Sequence, residues 1–433
     1  MKNLTIGKIH KDTCGDKVVF SSRIGFGDQT QTLWYRLDHE YGDYFCEDRA
    51  DGLVASLLFF SLMNGANVVS ELPISEKLFY QLTYHLIPQL CRCNKSLISP
   101  IKIDAPLVST EYREVAGVGC GISCGVDSFT TLYEYTRLIP LDSHKLTHLT
   151  YFKVGAHDGQ IGRYDNDVQE ELFQSQLSHA KAFCTRYGYK LVVVETNLTE
   201  IIDRMFGFYN YEQFHSYVNA GTVLQLQKLF HRYYYSSTYG LDDFFVDMKE
   251  SSAHYEGVLL PMLSTETTSF YNSNQDMGRI EKVRLISEFE QSYEWLLVCW
   301  LHKPNCGKCG KCIRTMLELD FVGKLELYRS CFDLDEYYKN KAEYLNLVFQ
   351  RRDRDHFMKE LYEYAIAHNI ALPESADPKQ HNAPIPGNVV TRIFDSLHKR
   401  GVRQTFSAAL KRLKRRGGAF QRDVANGTPS ERH

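Results

Sequence analysis

The alternation of apolar and polar positions changes character near residue 113. Before it, Lys17-Val-Val-Phe-Ser-Ser and Thr32-Leu-Trp-Tyr-Arg-Leu have strand character. Leu53–Met63 and Glu76–Leu90 have helical length and period. Residues 1–112 thus predict a small α+β domain, in which no chemistry is recognisable. After it, strand and helix patterns take turns. Val115–Ile122 is a small-residue strand, Asp127–Leu138 a helix, Leu146–Val154 a strand and Glu170–Tyr187 a helix that Gly188 closes. Leu191–Val194 has the continuous apolar character of a buried strand, Val218–Tyr234 reads as a helix and Gly257–Pro261 as a late strand. Such alternation predicts an α/β fold with a doubly wound parallel sheet over 113–320.

Past Cys312 the chain reads as helices at Ile313–Leu319, Leu334–Gln350 and Arg354–Ala367, a helical extension over 321–372. A proline-containing linker and a basic amphipathic tail fill 373–433. Val402, Phe406, Ala409, Leu410 and Leu413 share one helical face there, with Lys411, Arg412, Lys414, Arg415 and Arg416 around them. From 417 on, the composition is that of a disordered segment.

With 433 residues, 43 % hydrophobic and 24 % charged, the composition is globular. Fifty Lys+Arg against 53 Asp+Glu give a net charge of −3, which excludes a globally basic nucleic-acid coat. Eleven of the basic and three of the acidic residues lie at 392–433, so the body is acidic and the tail basic. The tail's simplest fate is a helix covering its own domain; docking on a partner, an anionic surface or RNA is the alternative. The run Leu53–Met63 falls far short of the ~20 residues that span a bilayer and predicts a buried core helix. No export signal is visible, so twelve cysteines suggest thiols and metal ligation rather than disulfides, and a cytoplasmic protein.

The segment Ser123-Cys-Gly-Val-Asp-Ser128 joins a predicted strand to a predicted helix, where free amides and the positive helix end make an anion site. Ser123 and Ser128 can donate hydroxyl hydrogen bonds to phosphate. Gly125 is expected to adopt positive φ and let the backbone approach closely. Asp127 suits a bridging Mg²⁺ or helix capping. The alternative is an ordinary capped turn. A Walker pattern is absent, and the near match to G-x-G-x-x-G at Gly119–Cys124 ends in cysteine.

Cys306-Gly-Lys-Cys309-Gly-Lys-Cys312 follows Cys299 by seven residues. Four thiolates at this spacing predict a closed structural Zn²⁺ site. Lys303, Lys308, Lys311 and Arg314 are near enough in sequence to offset its net charge of −2. An iron–sulfur cluster is the rival, but the fourth cysteine and proline of the ferredoxin motif are missing.

Ser123–Ser128 resembles S-G-G-x-D-S, the loop of the N-type ATP pyrophosphatases (the PP-loop superfamily), with Cys124 in place of the first glycine. Should that position require positive φ, cysteine costs about 1 kcal/mol there. The loop, the strand end Tyr151–Gly155 and the cysteine quartet together resemble the 7-cyano-7-deazaguanine synthase family over about residues 113–320. The resemblance implies an adenine nucleotide alpha hydrolase-like fold. It also implies that ATP is held by Ser123, Cys124, Gly125, Val126, Asp127 and Ser128, with adenine against the backbone at Lys153 and Val154. It further implies that a carboxylate is adenylated, pyrophosphate leaves and ammonia or an amine attacks.

Arg279 and Lys282 are candidates for neutralising phosphate charge beside Asp127 and Ser128, or else members of a surface helix. His157, His215 and Gly221 are weaker pocket candidates. The expected function is an ATP-dependent ligase or synthase that uses Mg²⁺, with a small-molecule substrate and an amine donor as partners. A tRNA-modifying adenylase and a non-catalytic zinc-stabilised nucleotide-binding module are the alternatives, and a homodimer is left open.

Overall fold

Three long strands open the chain: β1 (Lys2–Cys14), β2 (Lys17–Phe26) and β3 (Gln29–Asp38). Val18, Phe20, Ser22, Ile24 and Phe26 of β2 are buried and their neighbours are not, as a pleated ribbon with one covered face requires. The computed structural model describes residues 2–156, 166–207, 209–299 and 304–373. The basic tail and His157 therefore lie outside the described residues.

Helix α1 (Asp51–Asn64) is buried on every side from Asp51 to Leu62, so the run Leu53–Met63 is a core helix as its length predicts. Next come β4 (Ala66–Ser70), β5 (Ile74–Ser75), α2 (Glu76–Gln81), a π-helical turn at Leu82–Leu86, α3 (Ile87–Cys93), β6 (Ile103–Asp104) and β7 (Leu107–Val108). The alternating part begins with β8 (Gly117–Gly121), α4 (Val126–Tyr133), β9 (His148–Lys153), α5 (Asn166–Tyr187) and β10 (Lys190–Thr196). It continues through α6 (Leu198–Phe206), α7 (His215–Leu224), β11 (Phe230–Ser236), α8 (Glu256–Met262) and β12 (Ser269–Ser273). Four helices close the described chain: α9 (Arg279–Ile286), α10 (Gly310–Phe321), α11 (Leu334–Arg351) and α12 (His356–Ala367).

Ten strands form one mixed, mostly parallel sheet in the order β12-β11-β8-β9-β10-β3-β2-β1-β4-β6. From β12 to β10 every pairing is parallel. The chain moves outward from β8 through β9 to β10, then returns to place β11 and β12 on the other side of β8. Strand order thus reverses between β8 and β11, and an open α/β sheet binds ligands in the crevice outside such a point.

Alternate side chains feed two cores. Leu149, Tyr151, Val193 and Tyr234 meet α4, α5, α9 and α10 on one face. Phe152, Val194, Phe230 and Tyr233 meet α1, α6, α7 and α8 on the other. Helices therefore cover both faces, as alternation predicts.

Three expectations change. Residues 218–234 are not one helix: α7 ends at Leu224 and the aromatic run from Phe230 pairs as β11. The short apolar run at 257–261 is helix α8, with Leu259 and Leu260 buried, because five apolar residues suit either element when one face meets a core. The boundary near 112 separates neither sheet nor core among the described residues. β3 pairs antiparallel with β10, through Leu37 opposite Val194, and Leu4, Phe20 and Leu37 share a core with Val194 and Phe270. Among the described residues no helix is long and apolar enough to cross a membrane.

Candidate functional site

The turn after β8 lies at the reversal point, and α4 starts from it with Gly125 as N-cap. The first amides of α4, at Val126 to Ser128, are of the kind that helix geometry leaves without internal acceptors. The serine hydroxyls shape the turn. Gly125 N–H donates to Ser123 Oγ at 3.2 Å, Ser123 Oγ donates to Ser128 Oγ at 3.2 Å, and Ser128 Oγ donates to the Gly125 carbonyl at 3.0 Å.

Positive φ falls on Cys124, not on Gly125. Cys124 has φ 59°, whereas Gly125 has φ −84° and ψ 174°, an extended conformation open to any residue. Cysteine therefore holds the left-handed position, at a cost of about 1–2 kcal/mol. Its fully buried side chain packs in the core beneath the loop, and Leu297 N–H donates to its carbonyl at 2.9 Å. Both contacts offset the strain.

Arg279 and Lys282 belong to this loop rather than to a surface helix. Arg279 Nη1 lies 2.8 Å from Asp127 Oδ1 and its Nε 3.4 Å from Glu318 Oε2. Lys282 Nζ is 3.9 Å from Asp127 and donates to the Ser237 carbonyl at 2.7 Å. Burial pushes Asp127 up, but Arg279, Lys282, Arg314 and Lys311 outweigh it and hold the carboxyl below its usual range. Asp127 is thus an ion-pair partner within a cationic cluster, a role its sequence position does not reveal.

Lys153 ends the neighbouring strand β9 and Val154 follows it. Val154 is core, and Lys153 pairs with Glu170 above the Phe173 ring instead of joining the cations at the loop. Gly221 serves packing: a Cβ there would come within 2.5 Å of the Gly52 carbonyl, so glycine lets α7 cross α1 closely.

Across the crevice, at the carboxyl end of β11, stands a polar cluster. Ser216 Oγ donates to Glu256 Oε1 at 2.6 Å, and His215 Nδ1 lies 3.9 Å from the same oxygen and 3.2 Å from Tyr235 Oη. Glu256 is 1 % exposed and its Oε2 has no hydrogen-bond partner. Burial raises its carboxyl from the ordinary 4.5 to about 8, against the pull of Ser216 and Lys282. Because the folded value lies above the unfolded one, this group's contribution to stability is complete below pH 4.5 and is lost as pH rises through about 8. Glu256→Gln, a permanently neutral stand-in, is expected to remove about 3–5 kcal/mol of that pH dependence. Denaturant unfolding at pH 5 and pH 8.5 measures it; equal slopes in both proteins refute it.

The four cysteines converge. The sulfurs of Cys299, Cys306, Cys309 and Cys312 all lie within 4.8 Å of one another, with Cys306–Cys312 at 3.9 Å and Cys309–Cys312 at 3.4 Å. A tetrahedral ion with bonds of about 2.3 Å needs sulfurs about 3.8 Å apart. Gly307, at φ 69°, makes the turn, and the amides of Cys309 and Cys312 point at the sulfurs of Cys306 and Cys309. The quartet could hold a metal ion such as zinc.

Of the cations that spacing set beside the thiolates, Lys303 lies outside the described residues, and the other three have carboxylate partners. Lys308 pairs with Glu336 at 3.6 Å, Arg314 with Glu318 at 3.4 Å, and Lys311 and Arg314 both act on Asp127. Sequence reasoning thus missed two cations of the loop cluster. Their signal was helical spacing, since Lys311 and Arg314 are one turn apart on α10.

No protein-family model, no curated protein and no solved structure matches this chain.

Proposed function

We propose that the protein is an ATP-dependent adenylating enzyme of the pyrophosphatase-loop type. The observation that carries this is the joint placement of the loop amides of α4 and the cations Arg279 and Lys282 at the sheet's reversal point. Amides, hydroxyls and cations there suit a diphosphate group, which is what ATP discards when AMP is transferred. Ser123 and Ser128 would turn their hydroxyls from each other to phosphate oxygens, and the backbone at Lys153 and Val154 would face the adenine. A carboxylate would attack the α-phosphorus, and ammonia or an amine would then displace AMP. Mg²⁺, when bound with the nucleotide, would draw charge from the leaving group. The residues of this chain supply positioning and charge stabilisation rather than a nucleophile. The metal quartet offers no open position and takes no chemical step.

The test separates products. Incubation with ATP, Mg²⁺, ammonium and a panel of small carboxylic acids should yield AMP and pyrophosphate. Asp127→Asn and Ser128→Ala should lower that yield at least hundredfold. ADP with phosphate, or no nucleotide turnover at all, would contradict the proposal; the second result favours a binding module.

A further inference from the structure

The polar cluster at the end of β11 continues outward as a chain of hydrogen bonds. It starts at Glu256, the first residue of α8, whose Oε1 accepts from Ser216 Oγ at 2.6 Å. Ser216 Oγ lies 3.3 Å from Nδ1 of His215, the first residue of α7. The other ring nitrogen, Nε2, is 3.5 Å from Ser251 Oγ, and Ser251 Oγ donates to Glu212 Oε2 at 3.3 Å. Ser252 Oγ braces Ser216 at 2.8 Å, and Tyr235 Oη holds His215 Nδ1 at 3.2 Å. Glu256 is buried, whereas Glu212 is half-buried. One path thus runs from an interior carboxyl through two hydroxyls and an imidazole to a carboxylate near water. Each hydroxyl can take one proton while giving another, and imidazole does so with its two nitrogens.

The inner end of the path adjoins the loop cluster. Tyr235 lies two residues before Ser237, whose carbonyl accepts from Lys282, and Lys282 is 3.9 Å from Asp127. Glu256 faces Lys282, Asp127, Glu212, His215, Tyr235 and Tyr255. Of the fixed charges, Lys282 alone favours the ionised carboxyl, against Asp127 and Glu212. At the outer end, Glu212 and Lys311 act on each other, and Tyr239 is also within reach of Glu212. Among the described residues Glu256 Oε2 has no hydrogen-bond partner, so that oxygen is the one free to take a proton.

We propose that Glu256, Ser216, His215, Ser251 and Glu212 form a proton relay, which carries the proton lost by the attacking amine out to solvent. This rests on the adenylating reading and gives its second step a base. The amine nitrogen bonds to the acyl carbon, the bond from that carbon to the AMP oxygen breaks, and AMP leaves with the electron pair. The amine's proton passes to Glu256 Oε2. The carboxyl turns it towards Ser216, whose hydroxyl hands its own proton to His215 Nδ1. His215 then gives up its Nε2 proton to Ser251, and Ser251 gives one to Glu212 and so to water. The path requires the Nε2–H tautomer of His215.

Two measurements test the relay. With isotopically labelled histidine, the His215 ring signals in nuclear magnetic resonance, assigned through His215→Asn, should show a step near pH 8, where burial places the Glu256 carboxyl. Glu256→Gln should abolish that step. A His215 signal without it overturns the relay whatever the nucleotide assays show.

For the second measurement, hydroxylamine, largely unprotonated at neutral pH, replaces the amine. The protein is given ATP, Mg²⁺ and the carboxylic acid that best supports ATP–pyrophosphate exchange. Hydroxamate formation relative to exchange should rise with pH through about 8, because Glu256 accepts a proton only when ionised. Glu256→Gln should flatten that rise. Glu256→Gln and Ser251→Asn should each lower the ratio at least about tenfold, while Ser251→Thr should keep it. Ser251 also caps the turn Ser252–Tyr255 by accepting from Ala253 N–H. Asparagine can cap as well but its amide passes no proton, so a merely structural role would spare Ser251→Asn. If Ser251→Asn matches Ser251→Thr, the relay fails while adenylation stands. If no acid supports exchange, the adenylating reading fails and takes the amine's proton with it, even where the His215 step is seen.

Discussion

Arg279→Ala is expected to cost about 3–5 kcal/mol of stability, because it leaves two carboxylates without their common partner. Arg279 is 5 % exposed and bridges Asp127 at 2.8 Å to Glu318 at 3.4 Å. Glu318 is almost wholly buried and would retain only Arg314. Arg279→Met, of similar volume, should be no better than alanine, because the missing element is charge rather than packing. Pairing with Asp127→Asn should recover part of the loss, the non-additivity expected of residues in one network. Urea unfolding of the single and double variants measures this; losses that merely add would deny the coupling. The pH dependence has a definite sign. Asp127's folded value is depressed, so its contribution is present above the ordinary aspartate range and is lost as pH falls through the folded value. Arg279→Ala should therefore flatten the acid limb of the stability curve.

Such coupling explains which parts of the molecule could be read from the chain. The helices α4 and α5, the strands β8, β9 and β10 and the C-terminal helices are locally consistent: length, period and chain neighbours agree. Gly188 closes α5 at φ 75°, in the left-handed geometry its position after Tyr187 predicts. The errors fall where tertiary contact decides. Phe230–Ser236 is a strand because the parallel neighbours β8 and β12 satisfy its backbone on both sides, and Glu256–Met262 is a helix because it lies over the sheet on that face. Aromatic or aliphatic residues alone allow either state.

The same division runs through the site. Ser123–Ser128 and the cysteine quartet are contiguous or nearly so and were visible as motifs. The partners that give them meaning are 152 residues apart in the case of Asp127 and Arg279, and no spacing rule reaches that far. Cys124 shows the limit of motif matching most clearly. The motif assigns flexibility to its glycines, yet backbone geometry places positive φ on the one residue that is not glycine. What tolerates it is a buried core and a hydrogen bond from Leu297, both contributed by other elements.

Loss of the quartet should have the broadest effect of any change considered. Structural metal binding in small cysteine sites is worth about 10–16 kcal/mol, much of it realised as folding energy. Cys309→Ser should remove the ion and also the sulfur cap of α10. Because α10 supplies Met316 and Leu317 to one core and Glu318 to the charge network, disorder at its start should spread to the loop. The expected result is no stoichiometric metal by elemental analysis, a melting temperature lower by more than about 10 °C, and faster proteolysis near residues 304–321. Cys331→Ser is the control. Its thiol donates to the Tyr293 carbonyl at 3.2 Å and is not one of the four converging sulfurs, so metal content should be unchanged. Iron found with a brown chromophore would replace zinc as the ion while keeping the four ligands. A metal-free protein as stable as the untreated one would show that packing and hydrogen bonds alone, through Cys309 and Cys312 amides, hold the turn.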